Sequence, residues 1–520
     1  MKSRKETTAL LHARSHLKYI LILEGSIVGL LAGIVSIIYR ILLGKSESFV
    51  YQIAKLVKED GIYLIALFLF LFVLGFIISQ TLKKEPFISG SGIPQVEAEV
   101  QNQIDQCWYR VLIAKIIGGT CAVLGGLSLG REGPSIQLGA MCGKGFSKIF
   151  RRIKVEQRYL ITCGAAAGLS AAFNAPLAGI LFALEEIHKN FSMSAIVSVM
   201  CASIMGDFLS QYVFGLEPAL AFQVEAVLPL SCYGLIIVLG ILCGVLGAGY
   251  NAAILQGQRL YEKILFLKSH QRVYIPLLLS GFLFFVFPEV LCGGHHMTSL
   301  LDESMLLSSL FFLLIVKFLF SLCSFASGAP GGIFFPLLVL GCYIGAIFGK
   351  ISLSVWMIDP IYFTNFVIIA MAGFFAGIVR APITGIVLIA EMTGSLHHLL
   401  SLALVSIVAY VTAHFMKSKP IYESLLDRLL RRQGVDLEHG SEQKRLVEVV
   451  VEIGSVIENR QVKDIAWPSK CLLVGIHRGA EEVLPKGTTT INSGDTIIAL
   501  LEIPGATMAE AELEELCKSG

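Results

Sequence analysis

Charged side chains are scarce in this chain: only 15% of its 520 residues are Asp, Glu, Lys or Arg, against 55% apolar. A soluble globular protein carries about a quarter charged residues, so the membrane is the natural solvent here. The twelve cysteines include no C-x-x-C pair, and no histidines stand at ligand spacing, which argues against a disulfide framework or a zinc site. Ser-His, H-E-x-x-H and two-aspartate helix patterns are also missing, so an intramembrane hydrolase finds no support and neither enzyme activity nor a cofactor is expected. A net charge of +2 carries no nucleic-acid signature, and no nucleic-acid partner is expected.

Long apolar runs are abundant. Tyr19 to Leu43, Gly61 to Ser79, Tyr233 to Ala253, Val273 to Leu291 and Leu306 to Cys323 each approach the roughly 20 residues that a spanning helix needs, and a dozen or more such segments are expected. The first follows a charged leader, residues 1–17, and is too long for a signal h-region, so it reads as a retained helix. Lys2, Arg4, Lys5, Arg14 and Lys18 precede the membrane part, and Lys417, Lys419, Arg428, Arg431 and Arg432 follow it. Both ends are therefore expected in the cytoplasm. Near Tyr422 the apolar runs give way to DRLLRRQGVDLEHGSEQKR, which sets a membrane domain at 18–425 and a linker at 426–446. Beyond it LVEVVVEIG, CLLVGIHRG, EEVLP and DTIIALLEI alternate in the manner of strands, predicting a small α+β domain at 447–503 and a tail at 504–520.

The membrane part contains a concealed repeat. Asn174-Ala175-Pro176-Leu177-Ala178-Gly179-Ile180 matches Arg380-Ala381-Pro382-Ile383-Thr384-Gly385-Ile386 at a shift of 206 residues, and each stretch runs on to a glutamate, Glu185 and Glu391. Upstream, Gly130-Arg131-Glu132-Gly133-Pro134 and Gly332-Ile333-Phe334-Phe335-Pro336 stand 202 residues apart. Gly- and Pro-framed starts in mid-membrane fit broken helices whose N-termini meet at a midplane site. Together with Gly90-Ser91-Gly92-Ile93-Pro94 they make three such starts. Helix N-termini present unpaired N–H groups and partial positive charge, so the expected ligand is an anion, held without a cation that would bind it too tightly for release.

These motifs, with GAAAGLSAAFNAPLAGILFALEE at 164–186 and the Lys419-Pro420-Ile421-Tyr422 segment, resemble the ClC chloride channel and transporter family from about residue 20 to 430. The resemblance implies an all-α polytopic membrane protein with an inverted-topology internal repeat, a homodimer with a separate pore in each subunit, and a place in the bilayer of a bacterial cell membrane. It also implies that the Ser91 and Tyr422 hydroxyls and the Ile333 and Phe334 N–H groups bind a central chloride, that Glu132 is the gating glutamate, and that Glu186 transfers protons internally.

An ionised Glu132 side chain in the first turn of its helix is itself an anion, favoured by the same N–H groups as chloride. When chloride displaces it, two negative charges lie together and the carboxyl takes up a proton, so opposed movement of chloride and protons follows. Glu186, off the anion path, would supply protons from the cytoplasm. The alternative within the same fold is a passive voltage- or ligand-gated chloride channel, which moves no protons. Plainer roles stand beside these: a helix cap for Ser91, an interfacial anchor for Tyr422, a solvated helix end for Glu185-Glu186. Arg131, Lys115, Arg380 and Glu391 are expected to be structural, and His295-His296 and His397-His398 to lie in loops.

Residues 447–503 resemble the TrkA-C domain, which implies dimerisation and a small ligand such as cyclic di-AMP. A dimer clamp with no ligand is the equal alternative.

Overall fold

The computed structural model describes residues 2–518 apart from 60–61, 190–192, 217, 221, 223, 225, 434–443, 470, 480 and 503–505. The chain divides into two units, Met1–Leu429 and Leu430–Gly520. In the first, eight helices come in order: α1 (Lys2–Glu59), α2 (Ile62–Lys84), α3 (Ile93–Val100), α4 (Trp108–Leu124), α5 (Glu132–Ile149), α6 (Lys154–Phe173), α7 (Pro176–Phe182) and α8 (Met193–Phe214). Eight more then repeat the pattern: α9 (Tyr233–Glu262), α10 (Tyr274–Val286), α11 (His295–Ser299), α12 (Leu307–Ala326), α13 (Phe334–Trp356), α14 (Phe363–Val379), α15 (Pro382–Thr393) and α16 (Leu399–Phe415). Helix α17 (Ile421–Arg432) follows.

Among the described residues seven helices are long and apolar enough to cross a membrane, fewer than the dozen expected. The apolar runs are real, but glycine and proline cut several of them into short pieces such as α3, α7 and α11, which start or stop inside the fold. The most apolar windows of α13 and α14 are 89% and 83% buried, whereas those of α2 and α9 bury 33% and turn their remaining apolar surface outward, as lipid contact requires. Between α5 and α6 the backbones touch: a Cβ on Gly139 or on Gly164 would strike the other residue's carbonyl oxygen.

Two sets of contacts show that the halves are equivalent in detail. Lys115 on α4 donates to the carbonyls of Ile88 (2.8 Å) and Gly90 (2.7 Å), while Lys317 on α12 donates to those of Val290 and Cys292, both at 2.9 Å. Every participant is shifted by 202, from 115 to 317, 88 to 290 and 90 to 292. The ammonium groups satisfy carbonyls stranded where the chain turns into α3 and α11, and those turns pass through Gly92 (φ +91°) and Gly294 (φ +108°), a backbone region that a side chain would strain. Lys115 is thus structural, as expected. Glu391 accepts from the N–H groups of Leu177 (3.0 Å) and Ala178 (2.8 Å) at the start of α7, and Glu185 accepts from the Thr384 N–H (3.0 Å) and hydroxyl (2.7 Å) at the start of α15. Each half caps a broken helix of the other, the reciprocity a two-fold relation demands.

The second unit holds a four-stranded antiparallel sheet, β1 (Lys444–Val450), β2 (Cys471–Arg478), β3 (Glu481–Val483) and β4 (Thr496–Glu502), in the order β1-β4-β2-β3. Helix α18 (Ala506–Cys517) packs on it, with Leu513 and Cys517 buried beside Ile476, Ile491 and Ile497. Within the stretch read as a tail at 504–520, Ala506–Cys517 therefore contributes to the domain's core, because its apolar positions recur on one helical face. Residues 426–432 of the expected linker continue α17, and 434–443 lie outside the described residues.

Candidate functional site

Three Gly-framed turns are clipped together by backbone hydrogen bonds. Gly90 N–H donates to Ala329 (3.2 Å) and Gly331 N–H returns a bond to Gly90 (3.0 Å), while Gly130 and Gly332 exchange bonds at 2.7 and 2.8 Å. This arrangement brings the N-termini of α3, α5 and α13 to one place, where Gly133 packs on Ser91 and Gly332 packs on the Gly133 N–H. The first turns of these helices leave N–H groups without intrahelical acceptors, so positive potential accumulates where they meet.

The expected ligand residues are all buried: Ser91 is 2% exposed, and Ile333, Phe334 and Tyr422 are 0% exposed. The Ser91 hydroxyl accepts from the N–H of Ile93, the first residue of α3, at 3.3 Å and still has its own hydrogen to give. Phe334 lies inside an aromatic group, with ring centres 5.4 Å from Phe173, 5.9 Å from Phe182 and 5.0 Å from Phe375; Phe182 meets Tyr422 edge-on at 6.2 Å. The Tyr422 hydroxyl has no protein partner despite complete burial. Interfacial anchoring does not describe it, since an anchor keeps its polar end at the surface.

Glu132 is the first residue of α5 and is fully buried. Neither carboxylate oxygen makes a hydrogen bond of good geometry, and the nearest donors are its own N–H and that of Phe335 in the first turn of α13. Arg131 makes an ion pair, as a structural role requires: its buried Nε has no hydrogen bond and stands 3.9 Å from Glu132 Oε1. A carboxyl suspended between two helix N-termini can be held there as an anion or leave once protonated.

Glu186 lies in a π-helical turn, Ala183–His188, that continues α7. The extra residue in that turn separates the fates of two neighbours: Glu185 reaches across to cap α15, while Glu186 turns inward, 6% exposed, toward Glu97, Lys189 and Glu423. Glu97 pairs with Lys189 at 2.5 Å. A solvated charge pair at a helix end is thus not what the chain forms. The Tyr422 hydroxyl is within electrostatic reach of both Glu186 and Glu132.

Sequence reading missed the fourth turn, Cys292-Gly293-Gly294-His295-His296, which occupies the position of GSGIP in the second half. His295 is no loop residue; it opens α11, and its ring stacks on Phe335 with centres 3.8 Å apart. The signal was present in the spacing of Lys115 and Lys317, but the turn lacks the proline and serine of its counterpart. Arg380 is structural as expected, donating to the carbonyls of Tyr410 and Ser418. His397 and His398 lie in the turn before α16, as expected, with His398 buried at the helix N-cap.

A family model described as voltage gated chloride channel matches residues 70–414, and a TrkA-C domain model matches residues 446–513. The H(+)/Cl(-) exchange transporter ClcA of Vibrio cholerae serotype O1 is 35% identical over 434 residues, 78% of this chain and 89% of that protein. Its namesake from Salmonella paratyphi B is 32% identical over 454 residues, 83% and 93% of the two chains. Among solved structures, a slow cyanobacterial Cl-/H+ antiporter superposes with a TM-score of 0.75 at 29% identity, covering 80% of this chain and 99% of its own. A eukaryotic CLC transporter at 22% identity and a TM-score of 0.64 shares the fold.

Proposed function

Because the chain belongs to the voltage-gated chloride channel family and carries a C-terminal TrkA-C domain, we propose that it is a multi-pass membrane transporter exchanging chloride for protons, with Glu132 as gate and proton carrier. The observation that carries this reading is Glu132 itself: a fully buried carboxyl between the N-termini of α5 and α13, in the place that suits an anion. A carboxyl at that place can both compete with the anion and carry a proton, which is what exchange requires.

In this reading chloride rests on the Ser91 and Tyr422 hydroxyls and the Ile333 and Phe334 N–H groups, with dipoles rather than a full cation holding it, so release stays fast. Entry of chloride next to the carboxylate brings like charges together and favours protonation of Glu132. The neutral side chain then swings out of the anion path, carries its proton to the other face, and returns when it is ionised again. Glu186, beside the acidic group of Glu97 and Glu423, passes protons inward from a route that does not cross the chloride path. No cofactor enters this cycle, and no substrate bond is made or broken.

The same reading places the protein in a bacterial cell membrane with both termini in the cytoplasm, as a homodimer with one pathway per subunit. The TrkA-C domain takes either a small ligand such as cyclic di-AMP or serves as a clamp between subunits.

Two substitutions in sealed liposomes test the mechanism. Glu132→Gln mimics the protonated gate, so a chloride gradient drives chloride without protons and with little pH dependence. Glu186→Gln keeps the gate and removes the relay, so chloride flux persists while proton flux falls away. Full proton coupling in Glu132→Gln would refute Glu132 as the proton carrier, and chloride flux that moves no protons in the unmodified protein would refute exchange.

A further inference from the structure

The shift of 202 that aligns the two halves puts His295 where α3 begins with Ile93, so the second half offers a titratable ring at a position that the first half fills with an aliphatic side chain. That ring lies against the gate's own support. It stacks on Phe335, 12° from parallel, and the Phe335 N–H is the one that faces the Glu132 carboxyl. His295 Nδ1 is buried without a hydrogen bond and stands 3.7 Å from Glu47 Oε1 on α1.

Contacts along the helices fix the side on which this pair lies. Glu24, early in α1, pairs with Arg152 just past the end of α5, while Glu47, late in α1, lies near Arg131 at the beginning of α5. Glu186 belongs to the other end: its turn finishes at His188, which meets Thr162 and the Tyr159 ring near the start of α6. Exposure falls toward the gate, from 29% for the His295 side chain and 23% for Glu47 through 14% for Arg131 to 0% for Glu132. The pair is therefore partly exposed on one side and borders the surroundings of Glu132 on the other.

We propose that Glu47 and His295 form the proton-exchange pair that loads and unloads Glu132 on the face opposite Glu186, an inference that rests on Glu132 being the proton carrier. On loading, the imidazole takes a proton from solution and the Glu47 carboxylate balances the imidazolium; the proton then passes to the Glu132 carboxylate and leaves the ring neutral. Unloading runs the same steps backward. Histidine suits the task because its ordinary titration falls between about pH 5 and 8. Other charged and titratable groups facing the pair are Arg40 on α1 and Arg131, which oppose a charged ring, Lys317 on α12 behind Gly294, and Tyr51 and Cys292 beside Glu47, with Glu289 facing Tyr51. Glu47 is thus the counter-charge that makes the imidazolium tolerable among three cations.

The experiment compares His295→Phe, which keeps the stack on Phe335, and Glu47→Gln, which leaves that stack untouched. Chloride-driven proton movement is measured in liposomes at equal pH on both sides, from about pH 5 to 8, and chloride affinity is measured by calorimetry. Each variant should slow proton-coupled turnover by about tenfold and move the midpoint of its pH profile by about one unit, with chloride affinity within about twofold of the parent. Wild-type profiles in both variants would overturn the proposal and leave a structural stack. Glu132→Gln, run in parallel, separates the two readings. Proton movement that survives there refutes the gate, whereas its loss there with unchanged profiles in the other variants refutes the pair alone. If His295→Phe no longer binds chloride, Glu47→Gln decides by the same profile.

Discussion

Removing one oxygen from the anion site should change two stabilities in opposite directions. The Tyr422 hydroxyl is fully buried with no protein partner, so without an anion it carries the cost of an unmade hydrogen bond, roughly 1–3 kcal/mol. Tyr422→Phe deletes that oxygen and keeps the ring against Phe182. The chloride-free protein should therefore become more stable by about 1 kcal/mol, an unusual sign for a change at a buried residue. With chloride the variant loses a hydrogen bond to a charged partner, worth about 1.5–3 kcal/mol, which weakens affinity roughly ten- to hundredfold. At a chloride concentration of about 100 times the wild-type Kd, the wild type gains about 2.7 kcal/mol and the variant about 1.4 kcal/mol or less. Calorimetric titration gives the affinity, and thermal unfolding in detergent with and without chloride gives the two stabilities. A variant that is less stable without chloride, or that binds chloride as the parent does, would show that the hydroxyl has another partner and is not a ligand.

Further outcomes follow from other contacts. Glu391→Ala strips the start of α7 of both bonds and should cost about 2–4 kcal/mol, with a similar loss for Glu185→Ala at the start of α15; unfolding midpoints unchanged in both would refute reciprocal capping. A chain ending after Arg432 keeps every anion-site residue and should still transport chloride and protons in liposomes, while the full chain should gain thermal stability with cyclic di-AMP if that is the domain's ligand. No shift with that nucleotide leaves the clamp. In the C-terminal domain, burial pushes the Asp495 carboxyl up, but the Arg478 fork (2.9 and 2.7 Å) and the Asn492 N–H outweigh it and hold it below the ordinary 3.8. Because the folded value is the lower one, this contribution is present above about pH 4 and is lost as the pH falls below it. Hydrogen exchange of β2 and β4 in the intact protein should quicken below that pH, and Asp495→Asn should remove the dependence.

Much of the site was legible because its demands are local. A helix that starts in mid-membrane beside two others needs glycine, for a positive φ at Gly90 and Gly92 or for close backbone approach at Gly133 and Gly332, and a first turn that proline tolerates; GSGIP, GREGP and GGIFFP state both requirements within five or six residues. Glu132 follows from its place in such a turn, and the duplication follows from two motifs at near-constant shift. The fourth turn, CGGHH, escaped because it keeps only the glycines, and the geometry at Gly294 reveals it. The C-terminal helix escaped for another reason: short amphipathic segments at a chain end look the same whether or not a sheet is there to cover.

The amino-acid sequence by itself determined the solvent, the broken helices, the carboxyl gate and the strand-forming domain, since each depends on residues close together in the chain. Tertiary structure alone decided what became of adjacent or distant groups. Glu185 and Glu186 are chemically identical, yet a single π-turn sends one to cap a helix about 200 residues away and the other toward buried acids. Likewise Glu47 and His295 meet only because α1 runs antiparallel to α5 and the second half folds as the first does. Charge, burial and hydrogen bonding are properties of a position in space, and two side chains of one kind acquire different chemistry when packing gives them different neighbours.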